Sequence, residues 1–235
     1  MRIVRFTPPQ GSKLGSDPHF GVMEDEKTIR AIASDPLYAG IFKEDETFLL
    51  EDVRLLAPVI PRSKVVCVGK NYADHAAEMG GEVPEEPIIF IKPNTSVIGP
   101  NDIIQWPSSS ERIDHEAELA VVISKICKEV PREKAKDVIF GYTVANDVTA
   151  RDLQKKDGQW SRAKGFDTFC PIGPWIETDF DPDEKHEITT RVDGEVRRHG
   201  FTSDMTHKLP EIIAFVSNAF TLYPGDIICT GTPAG

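Results

Sequence analysis

The apolar residues of this chain fall into short runs rich in β-branched side chains, and this pattern constrains the fold more than any other feature. Residues 64–68, 88–92, 112–124 and 141–146 each predict a strand. Only residues 206–222, THKLPEIIAFVSNAFTL, carry an extended helical apolar stripe. Strands and helices do not alternate regularly. We therefore expect a β-rich α+β fold with short helices rather than a doubly wound parallel sheet.

Two prolines, Pro58 and Pro61, suggest a boundary between a short first region and a longer second one. Residues 2–6, 20–23 and 28–32 predict three short strands before that boundary. We expect a small N-terminal β domain at residues 1–60 and a larger domain at residues 61–235.

The charge balance limits the partners of the chain. Its formal net charge is −11, which argues against binding to nucleic acid or to an anionic membrane surface. No apolar stretch approaches the ~20 residues that span a bilayer, and the N-terminus lacks the apolar region of a signal peptide. The four cysteines form no CxxC pair and lie in or beside apolar runs, which is typical of reduced thiols. We expect a cytoplasmic protein.

An acidic segment, RIDHEAELAVVI at residues 112–123, runs into a core strand. Side chains alternate along a strand, so Asp114, Glu116 and Glu118 are expected on one face. Burying bare carboxylates is costly, and a hard divalent cation such as Mg²⁺ or Mn²⁺ would offset that cost through oxygen ligands. The alternative is a solvated strand end on which the acids face water.

A second acidic position ends the next predicted strand. In VANDVTARDLQ, Asp147 follows the apolar run, and Arg151 and Gln154 lie four and seven residues later on one helical face. The group could form a ligand or catalytic site. The alternative is that Asp147 only caps the helix while the other two side chains are solvated.

Two further segments carry groups suited to proton transfer or anion binding. His75 and Glu78 are three residues apart in NYADHAAEM, which suits a general-base pair but equally a surface ion pair. Lys164 lies among Phe, Gly, Pro and Trp residues, where a lysine either meets an anion or extends to water. His19, His186, His199 and His207 lie in polar segments and are assigned no role.

Five segments, in this order and spacing, resemble the fumarylacetoacetate hydrolase family. They are CVGKNYADHAAEM, IDHEAELAVVI, VANDVTARDLQ, AKGFDTFCPIGPW and GDIICTGTPAG, and the resemblance runs from about residue 62 to the end of the chain. It is nearest to the bacterial acylpyruvase and oxaloacetate decarboxylase branch. It implies a mixed β-roll catalytic domain, a homodimer, and an N-terminal β domain like that found in many members. Related chains usually continue beyond the TGTPAG turn, so we expect that the C-terminal end of this domain is incomplete at Gly235.

The resemblance also implies roles for particular residues. Mg²⁺ or Mn²⁺ would be bound by Glu116, Glu118 and Asp147. His75 and Glu78 would form a catalytic dyad on a mobile lid helix, and Lys164 would polarise the substrate. The expected substrate is a small anionic α-keto acid, and the residues expected to bind it are Lys70, Arg151, Gln154 and Thr232.

Several reactions are compatible with such a site. The first hypothesis is a metal-dependent hydrolase or decarboxylase of acylpyruvates, fumarylpyruvate or oxaloacetate that acts through a metal-stabilised pyruvate enolate. The second is an isomerase or tautomerase of 2-hydroxy-dienedioates or of oxaloacetate in aromatic-acid catabolism. A catalytically silent binding protein is the third, and it is disfavoured because every residue of the motif is present.

Overall fold

Strands outnumber helices in the computed structural model, which describes residues 1–235. The strands are β1 Arg2–Thr7, β2 His19–Met23, β3 Thr28–Ile32, β4 Lys43–Leu49, β5 Arg54–Leu56, β6 Val65–Gly69, β7 Ile88–Lys92, β8 Val97–Ile98, β9 Ile113–Asp114, β10 Ala117–Ile123, β11 Ile139–Asn146, β12 Thr149–Ala150, β13 Cys170–Glu177, β14 Glu187–Val192, β15 Glu195–Phe201 and β16 Ile227–Cys229. The α-helices are α1 Pro36–Ala39, α2 Ala73–Glu78, α3 Arg151–Asp157, α4 Ser161–Lys164 and α5 Leu209–Ala219. Four 3₁₀ segments lie at Leu50–Asp52, Asn94–Ser96, Arg132–Val138 and Thr202–Asp204.

Most strands belong to one mixed sheet of 12 strands. Its main order is β4-β3-β2-β1-β13-β11-β10-β16-β6-β7, with β5 paired to β1 and β8 to β13. The strands β6 and β16 run parallel although more than 150 residues separate them in sequence. The prediction of a β-rich α+β fold with short helices is confirmed. No helix is both long and apolar enough to cross a membrane.

Alternate residues of the central strands supply two apolar cores, one on each face of the sheet. On β10, Leu119, Val121 and Ile123 pack into one core with Ile212, Ile213 and Val216 of α5. Ala120 and Val122 point the other way, into a core that the curved sheet encloses and that includes Cys67, Cys170 and Cys229. Because side chains alternate along β10, Glu118 shares the face of Ala120 and Val122, at the end of the enclosed core.

The first strands extend the same sheet. Arg2 and Ile3 of β1 pair with Glu177 and Ile176 of β13, and the side chain of Ile3 is fully buried in the enclosed core. The strand β4 has the sequence KEDETFL, in which only the last two residues are apolar. Because it lacks an apolar run, the sequence did not predict it.

Several local predictions agree with the structure and two need correction. The hairpin β14–β15 turns at Asp193 and Gly194, both with positive φ, as its Asp-Gly sequence predicts. The strand predicted at residues 112–124 is interrupted, because β9 ends at Asp114 and β10 begins at Ala117. The helix predicted around residues 149–155 begins at Arg151, because Thr149 and Ala150 pair with β9 instead.

Candidate functional site

The pairing of β10 with β11 brings the acidic residues together. Ala117 lies opposite Asn146, so Glu116 and Asp147 face each other just beyond the strand ends. The amide nitrogen of Asp147 donates to the carbonyl oxygen of Glu116 at 2.9 Å, and that of Glu116 donates to the side-chain oxygen of Asn146 at 2.9 Å. These bonds fix two carboxylates at one edge of the sheet, beside Glu118 of β10.

Three carboxylates form the centre of the site. One oxygen from each of Glu116, Glu118 and Asp147 lies within 4.8 Å of the others, and all three residues are buried. Asp114 does not join them. The interruption after β9 directs its carboxylate to Arg112 and Arg151, so the expectation of three acids on one strand face is wrong for Asp114.

Two buried lysines neutralise part of this charge. The Nζ atom of Lys164 donates to Glu116 Oε2, Asp147 Oδ2 and Thr149 Oγ1, each at 2.7 Å. Lys92, which is fully buried at the end of β7, reaches Asp147 Oδ1 at 2.5 Å. Arg151 adds a third cation through Nη2, which lies 2.5 Å from Glu116 Oε1. Of the two alternatives for Lys164, the structure shows the first, because its ammonium group contacts carboxylates and does not extend to water.

The cations are unevenly shared among the acids. Burial alone would raise the pKa of Glu116, but Lys164 and Arg151 hold it below its usual value. Glu118 has no cationic partner, and its carboxylate accepts only the amide of Gly231, at 2.8 Å. Burial, together with the charges of Asp147 and Glu116, raises the pKa of Glu118 well above its usual value.

This imbalance fits a divalent cation. Three buried carboxylates with one uncompensated member form an all-oxygen donor set of the kind that Mg²⁺ and Mn²⁺ prefer. The Glu118 oxygen that does not accept the Gly231 amide has no hydrogen-bond donor in the protein. A cation bound here would therefore remove the cost of burying that charge.

The helix α2 covers the carboxylates and carries the histidine. His75 Nδ1 lies 3.0 Å from Glu78 Oε2, and Nε2 lies 4.0 Å from Glu116 Oε1. His75 is only 6% exposed, whereas the side chain of Glu78 is 42% exposed, so the histidine of the pair is buried and the carboxylate reaches solvent. Burial lowers the pKa of His75 below 6.5 although both carboxylates oppose that effect. A carboxylate only accepts hydrogen bonds, so Nδ1 carries the proton and Nε2 is left as a free base.

The residues expected to bind substrate lie around the same centre. Gln154 accepts a hydrogen bond from Arg151 through its side-chain oxygen at 2.7 Å, and its amide nitrogen has no protein partner. Thr232 donates to the carbonyl of Ala117 at 2.9 Å. The ammonium group of Lys70 has neither an ion-pair nor a hydrogen-bond partner. All four side chains border the cavity above the carboxylates.

Two side chains anchor the ends of the α2 segment. Asn71 is fully buried, donates to the carbonyls of His207 and Thr230, and accepts from the amide of His207. The ring of His207 lies 2.9 Å from the carbonyl of Pro84, beyond the far end of the segment. His207, to which the sequence assigned no role, lies in the loop before α5 and is buried.

Two connected cavities lie over the site. The inner one has about 20 Å³ of free volume and is bordered by the three carboxylates, Lys164 and His75. The outer one has about 650 Å³. Lys70, Met79, Arg151, Gln154 and Trp160 border both cavities. A group bound at the carboxylates can therefore extend outward into the larger space.

Sequence reasoning missed two side chains of the site. Lys92 ends the apolar strand β7 directly before Pro93, and a lysine at the end of a core strand is itself a signal of a buried partner. Trp160 packs edge-on against Phe90 at a centroid distance of 5.3 Å. It also leaves no room for a side chain at position 69, because a Cβ on Gly69 would lie 2.3 Å from its ring.

Two protein-family models match almost the whole chain. The model described as fumarylacetoacetate (FAA) hydrolase C-terminal matches residues 64–235. The model described as Rv2993c-like, N-terminal matches residues 1–58.

Individual proteins give a similar result. Oxaloacetate tautomerase YisK of Bacillus subtilis is 45% identical over 80% of this chain and 64% of its own length. The crystal structure of 5-carboxymethyl-2-hydroxymuconate delta-isomerase from Mycobacterium smegmatis superposes with a TM-score of 0.89 at 47% identity, covering 100% of this chain and 89% of that one. Maleylpyruvate hydrolase from Sphingobium sp. SYK-6, solved with manganese(II) and pyruvate, gives a TM-score of 0.79 at 30% identity, with coverage of 100% and 89%.

Proposed function

Because the chain belongs to the fumarylacetoacetate hydrolase family, we propose that it is an enzyme that forms and discharges the enolate of an α-keto acid. The observation that carries this proposal is the buried cluster of Glu116, Glu118 and Asp147 beneath a neutral histidine. The reaction that this arrangement supports best is keto–enol tautomerisation or the related isomerisation of an unsaturated 2-hydroxy acid.

We propose that Glu116, Glu118 and Asp147 bind Mg²⁺ or Mn²⁺. The cation would act as a Lewis acid toward the keto and carboxylate oxygens of the substrate. Lys164 adds a fixed positive charge 2.7 Å from two of these carboxylates. Asp147 keeps its orientation through Lys92 on the side away from the cavity.

The substrate carboxylate is placed by side chains of the cavity wall. The unpartnered ammonium of Lys70 and the unpartnered amide nitrogen of Gln154 border the inner cavity and suit an anionic acceptor. Arg151 orients Gln154 and is itself held by Asp114. The hydroxyl of Thr232 is engaged with a backbone carbonyl, so its role is to fix the turn and to offer a lone pair to the cavity.

The proton transfers fall to His75. Its Nε2 atom takes a proton from the carbon next to the keto group, and the resulting enolate charge is stabilised by Lys164. Glu78 keeps Nδ1 protonated and the ring oriented. Returning the proton to oxygen gives the enol, and returning it to a conjugated carbon gives the isomer, so one base serves both outcomes.

Hydrolysis of a carbon–carbon bond is the second candidate. The same Nε2 atom could activate water against a distal carbonyl, and a relative with 30% identity is named maleylpyruvate hydrolase. Decarboxylation of oxaloacetate needs no activated water. His75→Ala should therefore lower hydrolysis by ~10²-fold or more while decarboxylation survives better.

A substrate panel tests the proposal. Oxaloacetate, acetylpyruvate, fumarylpyruvate and a 2-hydroxy-dienedioate are followed separately for tautomerisation and for product formation, with Mg²⁺, with Mn²⁺ and with chelator. We expect metal-dependent tautomerisation that falls ~10²-fold or more in Asp147→Asn. Rates equal to the uncatalysed ones on every substrate, in the presence of either metal, would show that the proposal is wrong.

We also propose that the chain acts as a homodimer, as members of this family usually do. Exposed apolar side chains such as Ile103, Trp106 and Val144, which are 75%, 61% and 57% exposed, support it. Light scattering coupled to size exclusion tests the proposal, and a monomer at micromolar concentration would contradict it.

A further inference from the structure

Arg198 is a buried cation that no carboxylate contacts by a hydrogen bond. It lies on β15, where Arg197 and His199 on either side of it are exposed, while its own side chain is only 3% exposed. Its Nε atom donates to the carbonyl of His115 at 2.9 Å, and Nη1 donates to that of Pro233 at 2.6 Å. These carbonyl oxygens fix the guanidinium group but carry no full negative charge. Because a buried arginine is usually paired with an acid, a carboxylate is expected close by.

The backbone around Arg198 is held by elements other than α2. Arg198 lies opposite Thr190 in the β14–β15 hairpin. Two residues further along β15, Gly200 packs so closely on the turn after β16 that a Cβ there would lie 2.5 Å from the Pro233 side chain. The guanidinium group is therefore a fixed positive charge, and its position does not depend on how α2 is oriented.

The carboxylate nearest to this charge belongs to Glu78. Its Oε2 atom lies 3.8 Å from Arg198 Nη1, and the same oxygen lies 3.0 Å from His75 Nδ1. No other Lys or Arg side chain lies within 4.0 Å of Glu78. The 3.8 Å separation is about 1 Å longer than a charge-assisted hydrogen bond of ~2.8 Å, so the contact is an ion pair without a hydrogen bond. Because Glu78 is 42% exposed, these two contacts and not close packing determine where its carboxylate points.

We propose that Arg198 is a positioning residue that holds Glu78, and through it the ring of His75, in the orientation for proton transfer. This inference rests on the proposed function, in which His75 is the base. A half-exposed glutamate with one hydrogen bond reaches other rotamers at little cost, since exposed ion pairs are weak. A buried cation is screened less by solvent and salt, so it attracts the carboxylate more strongly than a surface arginine would. Arg198 therefore acts on the reaction without touching the substrate.

Steady-state kinetics on the substrates that are turned over tests this role. Arg198→Gln keeps a donor for the backbone carbonyls but removes the charge, and kcat should fall about tenfold while KM stays near that of the wild type. Arg198→Lys keeps the charge and should recover most of the lost kcat, even if it is less stable. The control is Arg197→Gln, because Arg197 borders the same cavity but is ion-paired with Glu195 at 2.8 Å, and its kcat should equal that of the wild type. A raised KM with unchanged kcat in Arg198→Gln, or a folded Arg198→Lys no faster than Arg198→Gln, would overturn the inference.

A double-mutant cycle separates this role from simple support of the backbone at His115 and Pro233. If Arg198 acts through Glu78, its charge no longer matters once Glu78 is neutral. Adding Arg198→Gln to Glu78→Gln should then lower kcat by less than about twofold, so the two effects are not additive. A further tenfold loss in the double variant would show that Arg198 acts through the two carbonyls, and the inference would be wrong.

A spectroscopic measurement separates this inference from the proposed function. Long-range ¹H–¹⁵N spectra of protein with ¹⁵N-labelled histidine, recorded with Mg²⁺ and without substrate, report which ring nitrogen of neutral His75 carries the proton. We expect the Nδ1–H tautomer in the wild type and in Arg197→Gln, and a mixture of both tautomers in Arg198→Gln and in Glu78→Gln. If no substrate is turned over but Arg198→Gln gives the mixture, the proposed reaction fails and the positioning role stands. Turnover in which neither kcat nor the tautomer depends on Arg198 gives the opposite result.

Discussion

Glu118 is the single residue whose environment is least balanced in this protein. It is buried, has two acidic neighbours and no cationic partner, and its pKa is raised. A glutamine of the same shape would remove the buried acid. We expect Glu118→Gln to be at least as stable as the wild type without metal, because no uncompensated charge is left.

The same variant should lose stabilisation by metal. A ligand that binds only the native state adds about 2.7 kcal/mol at ~100 times its Kd. Thermal unfolding with and without Mn²⁺ should show this gain in the wild type and in Glu133→Gln, an exposed control, but not in Glu118→Gln. An equal metal shift in all three proteins would place the metal elsewhere.

The lowered pKa of His75 predicts the pH dependence of activity. His75 acts as a base only when it is neutral, so activity rises with pH through its pKa and then levels off. Because burial holds that pKa below 6.5, the acidic limb of kcat/KM should lie below pH 6.5 and activity at pH 7 should be near its plateau. A limb above pH 7 would show that another group controls the proton transfer.

Single residues also show how far sequence reasoning reaches. The types and spacing of Glu116, Glu118 and Asp147 raised the prediction of a metal site, and the structure brings these three together. Asp114 was included because the strand was taken as continuous. The position of Lys92 at the end of a core strand signals a buried partner, but that partner, Asp147, is 55 residues away and could not be identified from the local sequence.

At the scale of elements, the α2 segment is a short helix of marginal intrinsic stability that side-chain hydrogen bonds hold at both ends. The helix has six residues, which is marginal in isolation, and Gly80 and Gly81 follow it. The hydrogen bonds of Asn71 hold the segment before the helix, and the contact between His207 and Pro84 holds the segment after it. A segment held at both ends and weak between them suits a lid that moves as a unit.

Hydrogen exchange tests this lid. We expect residues 70–81 to exchange faster than β6 in the free protein and to be protected when Mg²⁺ and oxalate, which resembles a pyruvate enolate, are both present.

Asn71→Ala should raise exchange there and lower the free energy of unfolding by ~2–4 kcal/mol, because buried backbone groups lose their partners. Asn218→Ala, on the exposed side of α5, is the control. High protection of residues 70–81 that does not change with oxalate would show that the segment is rigid and is not a lid.

Elements with strong local signals were predicted well, and those defined by distant pairing were not. The bounds of β3 and β7 match the predicted ranges, since both are apolar runs between turns. The start of α3 was misplaced because Thr149 and Ala150 pair with β9, more than 30 residues earlier. The sequence VPREKAKDVI predicts a short helix, and the segment Arg132–Val138 forms a 3₁₀ helix.

The whole molecule is connected by its sheet, and this predicts how it unfolds. The strand β1 pairs with β13, and β13 pairs with β11, which leads into Asp147. We expect one thermal transition, and Mn²⁺ should raise exchange protection in β1–β3 as well as around the site. The division at residues 60 and 61 stays a prediction, and two separate transitions would support it against this expectation.

The small inner cavity has a consequence for the timing of catalysis. About 20 Å³ is room for about one water molecule, so we expect that binding and release of a keto acid displace side chains above the carboxylates. The chemical steps are proton transfers over short distances, whereas such displacements take microseconds to milliseconds. We therefore expect escape of the product to limit the rate at saturation. Added viscogen should slow kcat, and deuterium at the transferred position should leave it nearly unchanged.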